Sequence, residues 1–145
     1  MFAGRYEYGI DDKFRVSVPS KFREALSTNY DMRLILTNLD GCIVGYPYQE
    51  WVELQERISK RDLGKEARTF LRFFYSGVTE CPIDRLGRIL LPQSLRTYAG
   101  IRKNVVIIGM FRHTEIWAQD AWDGVVQEAT ADREKMKDIL SELGL

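Results

Sequence analysis

The feature that most constrains this chain is that it contains itself twice. The run Asp11-Asp12-Lys13-Phe14-Arg15-Val16-Ser17-Val18-Pro19-Ser20-Lys21-Phe22-Arg23 is matched without a gap by Asp84-Arg85-Leu86-Gly87-Arg88-Ile89-Leu90-Leu91-Pro92-Gln93-Ser94-Leu95-Arg96. Asp11 falls on Asp84, Arg15 on Arg88, Pro19 on Pro92 and Arg23 on Arg96. The apolar positions follow, with Val16 on Ile89, Val18 on Leu91 and Phe22 on Leu95. After a small slip in the connecting loop, Leu34-Ile35-Leu36-Thr37 pairs with Val105-Val106-Ile107-Ile108, Tyr46 with Trp117 and Trp51 with Trp122. Self-similarity on this scale decides the architecture before any single motif does.

Each copy reads as strand, turn, strand, short helix and hairpin. In the first, Tyr6 to Ile10 is a strand, Asp11 to Phe14 a polar turn and Val16 to Val18 the return strand. Pro19-Ser20 stops the ladder and opens a helix over Lys21 to Leu26, because proline is tolerated at a helix start and not inside a sheet. Leu34 to Leu39 and Cys42 to Tyr46 form a hairpin around Asn38 to Gly41. The second copy repeats the series at Gly77 to Cys81, Arg88 to Leu91, Pro92 to Tyr98, Val105 to Met110 and Thr114 to Ala118. Between the copies, Tyr48 to Phe74 carries a mainly helical apolar spacing (Trp51, Leu54, Ile58, Leu63, Ala67, Phe70, Leu71, Phe74), and Ala121 to Leu143 is a further amphipathic helix. The helices are expected to cover the strands, and Phe70, Phe73, Phe74 and Tyr75 to be core or subunit interface. The division is a first unit at 5–50, linking helices at 51–76, a second unit at 77–122 and a C-terminal helix at 123–145, the two units forming one compact α+β fold.

Composition narrows the function. With 45% hydrophobic and 29% charged residues the chain is of ordinary globular type. It lacks a run of the roughly 20 apolar residues needed to span a bilayer, and its first residues are not a signal peptide, so a cytoplasmic location and no membrane partner are expected. Cys42 and Cys81 fit no zinc-ligand spacing and read as small apolar fillers. His113, the single histidine, has no nearby Cys or His partner for a metal site and makes a Ser-His-Asp arrangement hard to build. No cofactor, metal or catalytic residues are expected. Formal charge is zero, which counts against nucleic-acid binding unless the charge is segregated. It is segregated: between Pro82 and Lys103 five bases face the lone acid Asp84, whereas the stretch after Trp122 is acidic.

The chemistry-bearing motif is Asp-x-x-x-Arg, present in both copies. The Asp can accept bonds from the amides of its own turn and hold the Arg guanidinium in a fixed bidentate orientation. An arginine so preset can read guanine O6 and N7 in the major groove or clamp a phosphate. Lys13 and Arg85, inside the turns, would add nonspecific attraction to the backbone. A single such pair would more simply lock a turn; the same device repeated with the same flanks points to a paired surface.

These paired motifs, the valine-proline and leucine-proline strand ends, Met1-Phe2-x-Gly4, Tyr46-Pro47, Glu50-Trp51 and Cys81 before the second turn resemble the MraZ family over essentially the whole chain. The resemblance implies two SpoVT-AbrB-type units interleaved as a pseudo-twofold swapped-hairpin barrel. It implies a nucleoid-associated DNA-binding regulator that forms ring-like homo-oligomers on repeated promoter boxes of the division and cell-wall gene cluster. By position, Asp11 with Arg15 and Asp84 with Arg88 are the expected reading loops, with Lys13 and Arg85 beside them. One departure stands out: the family's turn has Gly before Arg, as at Gly87, but the first copy has Phe14. A bulky residue disfavours the positive φ of such turns, so either a different loop shape or an added apolar contact is expected there. The main rival is a protein-binding module, an AbrB-like antitoxin relative or a partner of a ribosomal RNA methyltransferase, which zero net charge and the acidic last helix favour. An enzyme is the third reading, and no nucleophile, base or phosphate loop accompanies the Asp–Arg pairs.

Overall fold

The computed structural model describes residues 1–145. Fourteen elements follow one another: β1 Arg5–Gly9, β2 Arg15–Ser17, α1 Ser20–Asn29, β3 Arg33–Leu39, β4 Cys42–Pro47, α2 Tyr48–Ser59, α3 Lys65–Ser76, β5 Thr79–Pro82, β6 Arg88–Leu90, α4 Gln93–Ala99, β7 Asn104–Gly109, β8 Thr114–Ala118, α5 Gln119–Ala131 and α6 Arg133–Glu142. The fold is α+β. One six-stranded sheet runs β1-β7-β8-β4-β3-β5, with ends at β1 and β5, and β2 pairs with β6 as a separate two-stranded ribbon. Every pairing is antiparallel.

The repeats do not fold side by side. Only the hairpins β3–β4 and β7–β8 pair within their own repeat. β1 lies on β7 with Tyr6 opposite Ile107, and β5 lies on β3 with Cys81 opposite Leu34. β4 meets β8 at Ile43 and Ile116, and β2 meets β6 with Val16 opposite Ile89. Each repeat therefore completes the other's ladder, and buried backbone groups that one repeat alone would leave unpaired find partners across the junction.

The core is built from matched positions. Val16 and Ile89, Val18 and Leu91, and Phe22 and Leu95 are buried in one cluster with Leu26, Leu34, Leu36, Ile43, Val105 and Ile107. Burying a side chain such as Phe22 or Leu95 contributes about 1.5–3 kcal/mol. Phe22 receives edge contacts from Phe2 at 5.2 Å and Tyr6 at 5.3 Å. β2 ends before Pro19 and β6 before Leu91-Pro92; each proline then stands at a helix N-cap, its carbonyl accepting from the first turn (Arg23 N–H to Pro19, Arg96 N–H to Pro92, both 3.0 Å). α4 stops at Gly100 in the left-handed conformation, with Ile101 N–H returning to the Arg96 carbonyl.

The linking helices are two, and the single C-terminal helix expected from periodicity is broken. The segment from Tyr48 divides at Lys60 to Gly64, where extended Gly64 caps α3. The C-terminal segment divides at Asp132, whose carboxylate accepts from Lys135 N–H at 3.0 Å and so starts α6 as an N-cap. At Asp132 the apolar spacing runs on through the break, and local capping chemistry outranks it. α2 and α3 cover the β3–β4 face through Trp51, Leu54, Leu71 and Phe74, and α5 lies over β7 and β8. Of the aromatic run, Phe74 alone is buried, while Phe70, Phe73 and Tyr75 are exposed. α3 is pinned at its end by two strand side chains: Thr37 Oγ1 donates to the Phe74 carbonyl and Asn38 Nδ2 to the Phe73 carbonyl. Gly77 permits this, because a Cβ there would stand 2.2 Å from Asn38 Oδ1.

Candidate functional site

The two Asp–Arg turns are the same device built twice. Asp11 Oδ1 accepts from the Lys13 and Arg15 amides, both at 2.9 Å, and Asp84 Oδ1 accepts from Leu86 and Arg88 at the same distance. Asp11 N–H donates to the Arg15 carbonyl and Phe14 N–H to the Asp11 carbonyl, both at 3.0 Å; Asp84, Arg88 and Gly87 repeat the pattern at 2.9 Å. This is a tight turn followed by a left-handed residue, the geometry of a bulged three-residue hairpin loop. Phe14 takes φ 61° and Gly87 φ 78°. The first loop thus keeps the second loop's shape despite its phenylalanine: of the two outcomes expected, the change of shape does not occur, and Phe14 instead makes a contact of its own.

The guanidinium contact differs from the bidentate pair expected. Arg15 Nε donates to Asp11 Oδ2 at 2.8 Å and Arg88 Nε to Asp84 Oδ2 at 3.0 Å. Each Oδ1 is already committed to backbone amides, so one oxygen remains and the arginine is held by Nε alone. The terminal Nη groups of Arg15 are left without a partner in the chain. Arg88 Nη1 lies 3.7 Å from Asp11 Oδ2, so the two loops are neighbours and Asp11 touches both arginines. Backbone donation from Arg15, offset by partial burial and reinforced by the Arg15 side chain, holds the Asp11 carboxyl below its ordinary 3.8; Arg88 does the same for Asp84. Both carboxylates are charged at neutral pH, as an ion-paired turn requires. Lys13 and Arg85 are exposed at the loop tips.

The Phe14 substitution is accommodated by a residue the motif did not single out. The Arg96 guanidinium stacks on the Phe14 ring, 3.7 Å from its centroid, within reach of a cation–π contact. Arg96 Nε also donates to the Leu91 carbonyl at 3.0 Å, and Leu91 N–H to the Phe14 carbonyl at 2.9 Å. At the matching place Arg23 Nε donates to Val18 O at 3.2 Å, and Val18 N–H to Gly87 O at 2.8 Å. Arg23 lies directly on Gly87, where a Cβ would come within 2.7 Å of its Nε. The signal was in the sequence, since Arg23 and Arg96 match in the repeat, but only the cross-repeat pairing shows which loop each one serves.

The remaining candidates sit elsewhere. Cys42 and Cys81 are buried free thiols, and burial pushes Cys81 up to about 11 and Cys42 higher still. His113 stacks on Tyr46 at 5.0 Å, and burial lowers its pKa against the opposing charge of Glu115. No helix is long and apolar enough to cross a membrane. An apolar concavity of about 440 Å³ lies under α2 and α3 between Leu39, Tyr46, Leu54, Phe70 and Phe74.

Two matching turns thus project carboxylate-held arginines from one interlocked α+β scaffold. Comparison with known proteins narrows the class to a family. The family model described as "MraZ protein, putative antitoxin-like" matches residues 1–73 and again 74–140. A protein of Caldicellulosiruptor saccharolyticus is 42% identical over 146 residues, spanning all of both chains. Proteins of Clostridium tetani, at 42%, and Natranaerobius thermophilus, at 45%, match over 146 residues with the same full coverage. All three are named Transcriptional regulator MraZ, a regulator's name and not an enzyme's. The chain belongs to the MraZ family.

Proposed function

We propose that this chain is a sequence-specific DNA-binding transcriptional regulator that reads double-stranded DNA through the turns Asp11–Arg15 and Asp84–Arg88. The observation that carries the reading is the pair of matching turns, each with a carboxylate-held arginine, adjacent on one surface. Arg15 and Arg88 present guanidinium groups to base edges, while Lys13 and Arg85 at the tips attract phosphates. The names of the relatives support regulation of transcription. The targets are repeated boxes upstream of the bacterial division and cell-wall gene cluster, and the chain works in the cytoplasm at the nucleoid.

The strand exchange between repeats supports the swapped-hairpin, AbrB-like reading, with SpoVT-AbrB-type units at 5–50 and 77–122, linking helices at 51–76 and the C-terminal segment 123–145. One chain offers two loops, a thin basis for tight specific binding. A ring-like homo-oligomer raises the effective concentration of loops on a repeated operator.

The test is binding of the protein to duplex from upstream of its own gene, against a scrambled duplex, over a salt series. Affinity for the upstream duplex should exceed that for the scrambled one and fall steeply with salt, as release of phosphate counterions requires. Weak, salt-indifferent association with both would favour the protein-interaction module, for which the apolar groove under α2 and α3 is the natural surface.

A further inference from the structure

We propose that Arg96 and Arg23 are positioning residues of the two loops, each supplied by the opposite repeat. Arg96 sets the Asp11–Arg15 turn through the Phe14 ring, and Arg23 sets the Asp84–Arg88 turn through the backbone of Gly87. The proposal rests on the reading of these turns as the DNA-contacting loops.

Both arginines stand one turn inside a short helix, where side chains lean toward the helix N-terminus. α1 and α4 therefore aim them back over the strand that has just ended. Each spends Nε on the carbonyl of the residue that directly follows that strand, Val18 or Leu91. The same residue's N–H holds the carbonyl of the left-handed residue in the other repeat's loop. The guanidinium then covers that left-handed residue, as a ring face at Phe14 and as bare backbone at Gly87. A closed cycle of three contacts ties helix, strand end and loop together, and it crosses the repeat boundary both times. The left-handed residue directly precedes Arg15 or Arg88, so its placement fixes where the reading arginine leaves the chain.

Arg23 and Arg96 are half-buried, with Nε turned inward and the flat face occupied. That arrangement suits a brace, and the salt series below separates it from a phosphate contact. The two loops are also unequal. The ring at Phe14 gives Arg96 a stacking partner, whereas at Gly87 the Arg23 guanidinium lies where a Cβ would stand and would have to shift for one.

The experiment measures affinity for the upstream duplex and for a scrambled duplex across a salt series. The proteins are wild type, Arg15→Ala, Arg96→Ala, Arg96→Lys, Phe14→Ala and the Phe14→Ala/Arg96→Ala double variant, each checked for its thermal midpoint. Arg96→Ala should weaken specific binding about three- to tenfold, in line with the loss of one stacked cation. It should leave scrambled-duplex binding and the salt slope unchanged. Arg96→Lys keeps the charge and the stem but not the planar stack; it should fold normally and lose specificity like Arg96→Ala. The double variant should be no worse than the worse single one, the mark of two residues acting as a unit.

Wild-type specificity in Arg96→Lys would overturn the proposal. So would equal losses on both duplexes, which signal general loosening. A salt slope reduced by about 0.9 would place Arg96 on a phosphate and overturn the positioning role. If wild type shows no specific binding, or Arg15→Ala binds as wild type does, the loop reading itself fails and this proposal falls with it.

Discussion

Phe14 is the residue at which a sequence rule and the structure part company. A left-handed conformation costs a non-glycine residue about 1–2 kcal/mol, and that cost argued for a differently shaped loop. The structure retains the shape and sets the Arg96 stack, about 0.5–1 kcal/mol, against the cost. Phe14→Gly should therefore be neutral or stabilising by up to about 1 kcal/mol in urea denaturation. Gly87→Ala should go the other way, by about 1–3 kcal/mol, because the new Cβ meets both a positive φ and Arg23. The acidic partners make a second prediction. Folding lowers the Asp11 and Asp84 pKa values below 3.8, so their contribution to stability is present above that pH and is lost as pH falls through the folded values. Denaturation midpoints should drop below pH 4, and Asp11→Asn with Asp84→Asn should flatten that part of the profile. An unchanged acid limb in the double variant would remove these turns from the acid response.

At the scale of elements, alternation and turn chemistry carried most of the information. Every strand read from the sequence is present, with ends displaced by a residue or two, because a period of two and a Pro or Gly stop are local signals. The break at Asp132 is hidden because apolar spacing on either side of it stays in phase with one long helix, whereas between Ile58 and Leu63 the apolar face changes sides, a mark of two helices whose boundary only the Gly64 cap fixes. The docking of α3 was equally hidden: Thr37 and Asn38 look like ordinary strand polar residues until the Phe73 and Phe74 carbonyls are brought to them. Gly77 is the hinge of that contact. Gly77→Ala should cost about 2 kcal/mol or more in thermal denaturation, by driving Asn38 off α3 and leaving a buried polar group unpaired. A loss below about 0.5 kcal/mol would mean that the α3 end is free to move away.

For the whole molecule, the repeat announced two units but not which strand pairs with which. Sequence matching is blind to exchange, because β1 on β7 and β1 within its own repeat would leave the same residues in the same order. For this reason Asp11, Arg15, Asp84 and Arg88 were legible as site candidates and Arg23 and Arg96 were not. Their role depends on the β2–β6 ribbon, which brings each helix start to the other repeat's loop. The exchange also predicts that the halves depend on each other. Fragments 1–73 and 74–145 mixed from denaturant should recover a 1:1 complex with the native circular dichroism spectrum. A monomeric 1–73 fragment with native-like strand content would contradict the strand exchange.

The central claim is that the two Asp–Arg turns read DNA, and the most direct measurement replaces their arginines. Arg15→Ala and Arg88→Ala should each raise the Kd for the upstream duplex about tenfold or more relative to a scrambled duplex, as loss of one base-reading arginine implies. The sedimentation coefficient and the thermal midpoint should stay at wild-type values. If both variants keep wild-type discrimination between the two duplexes, the turns are structural and DNA recognition lies elsewhere on the molecule.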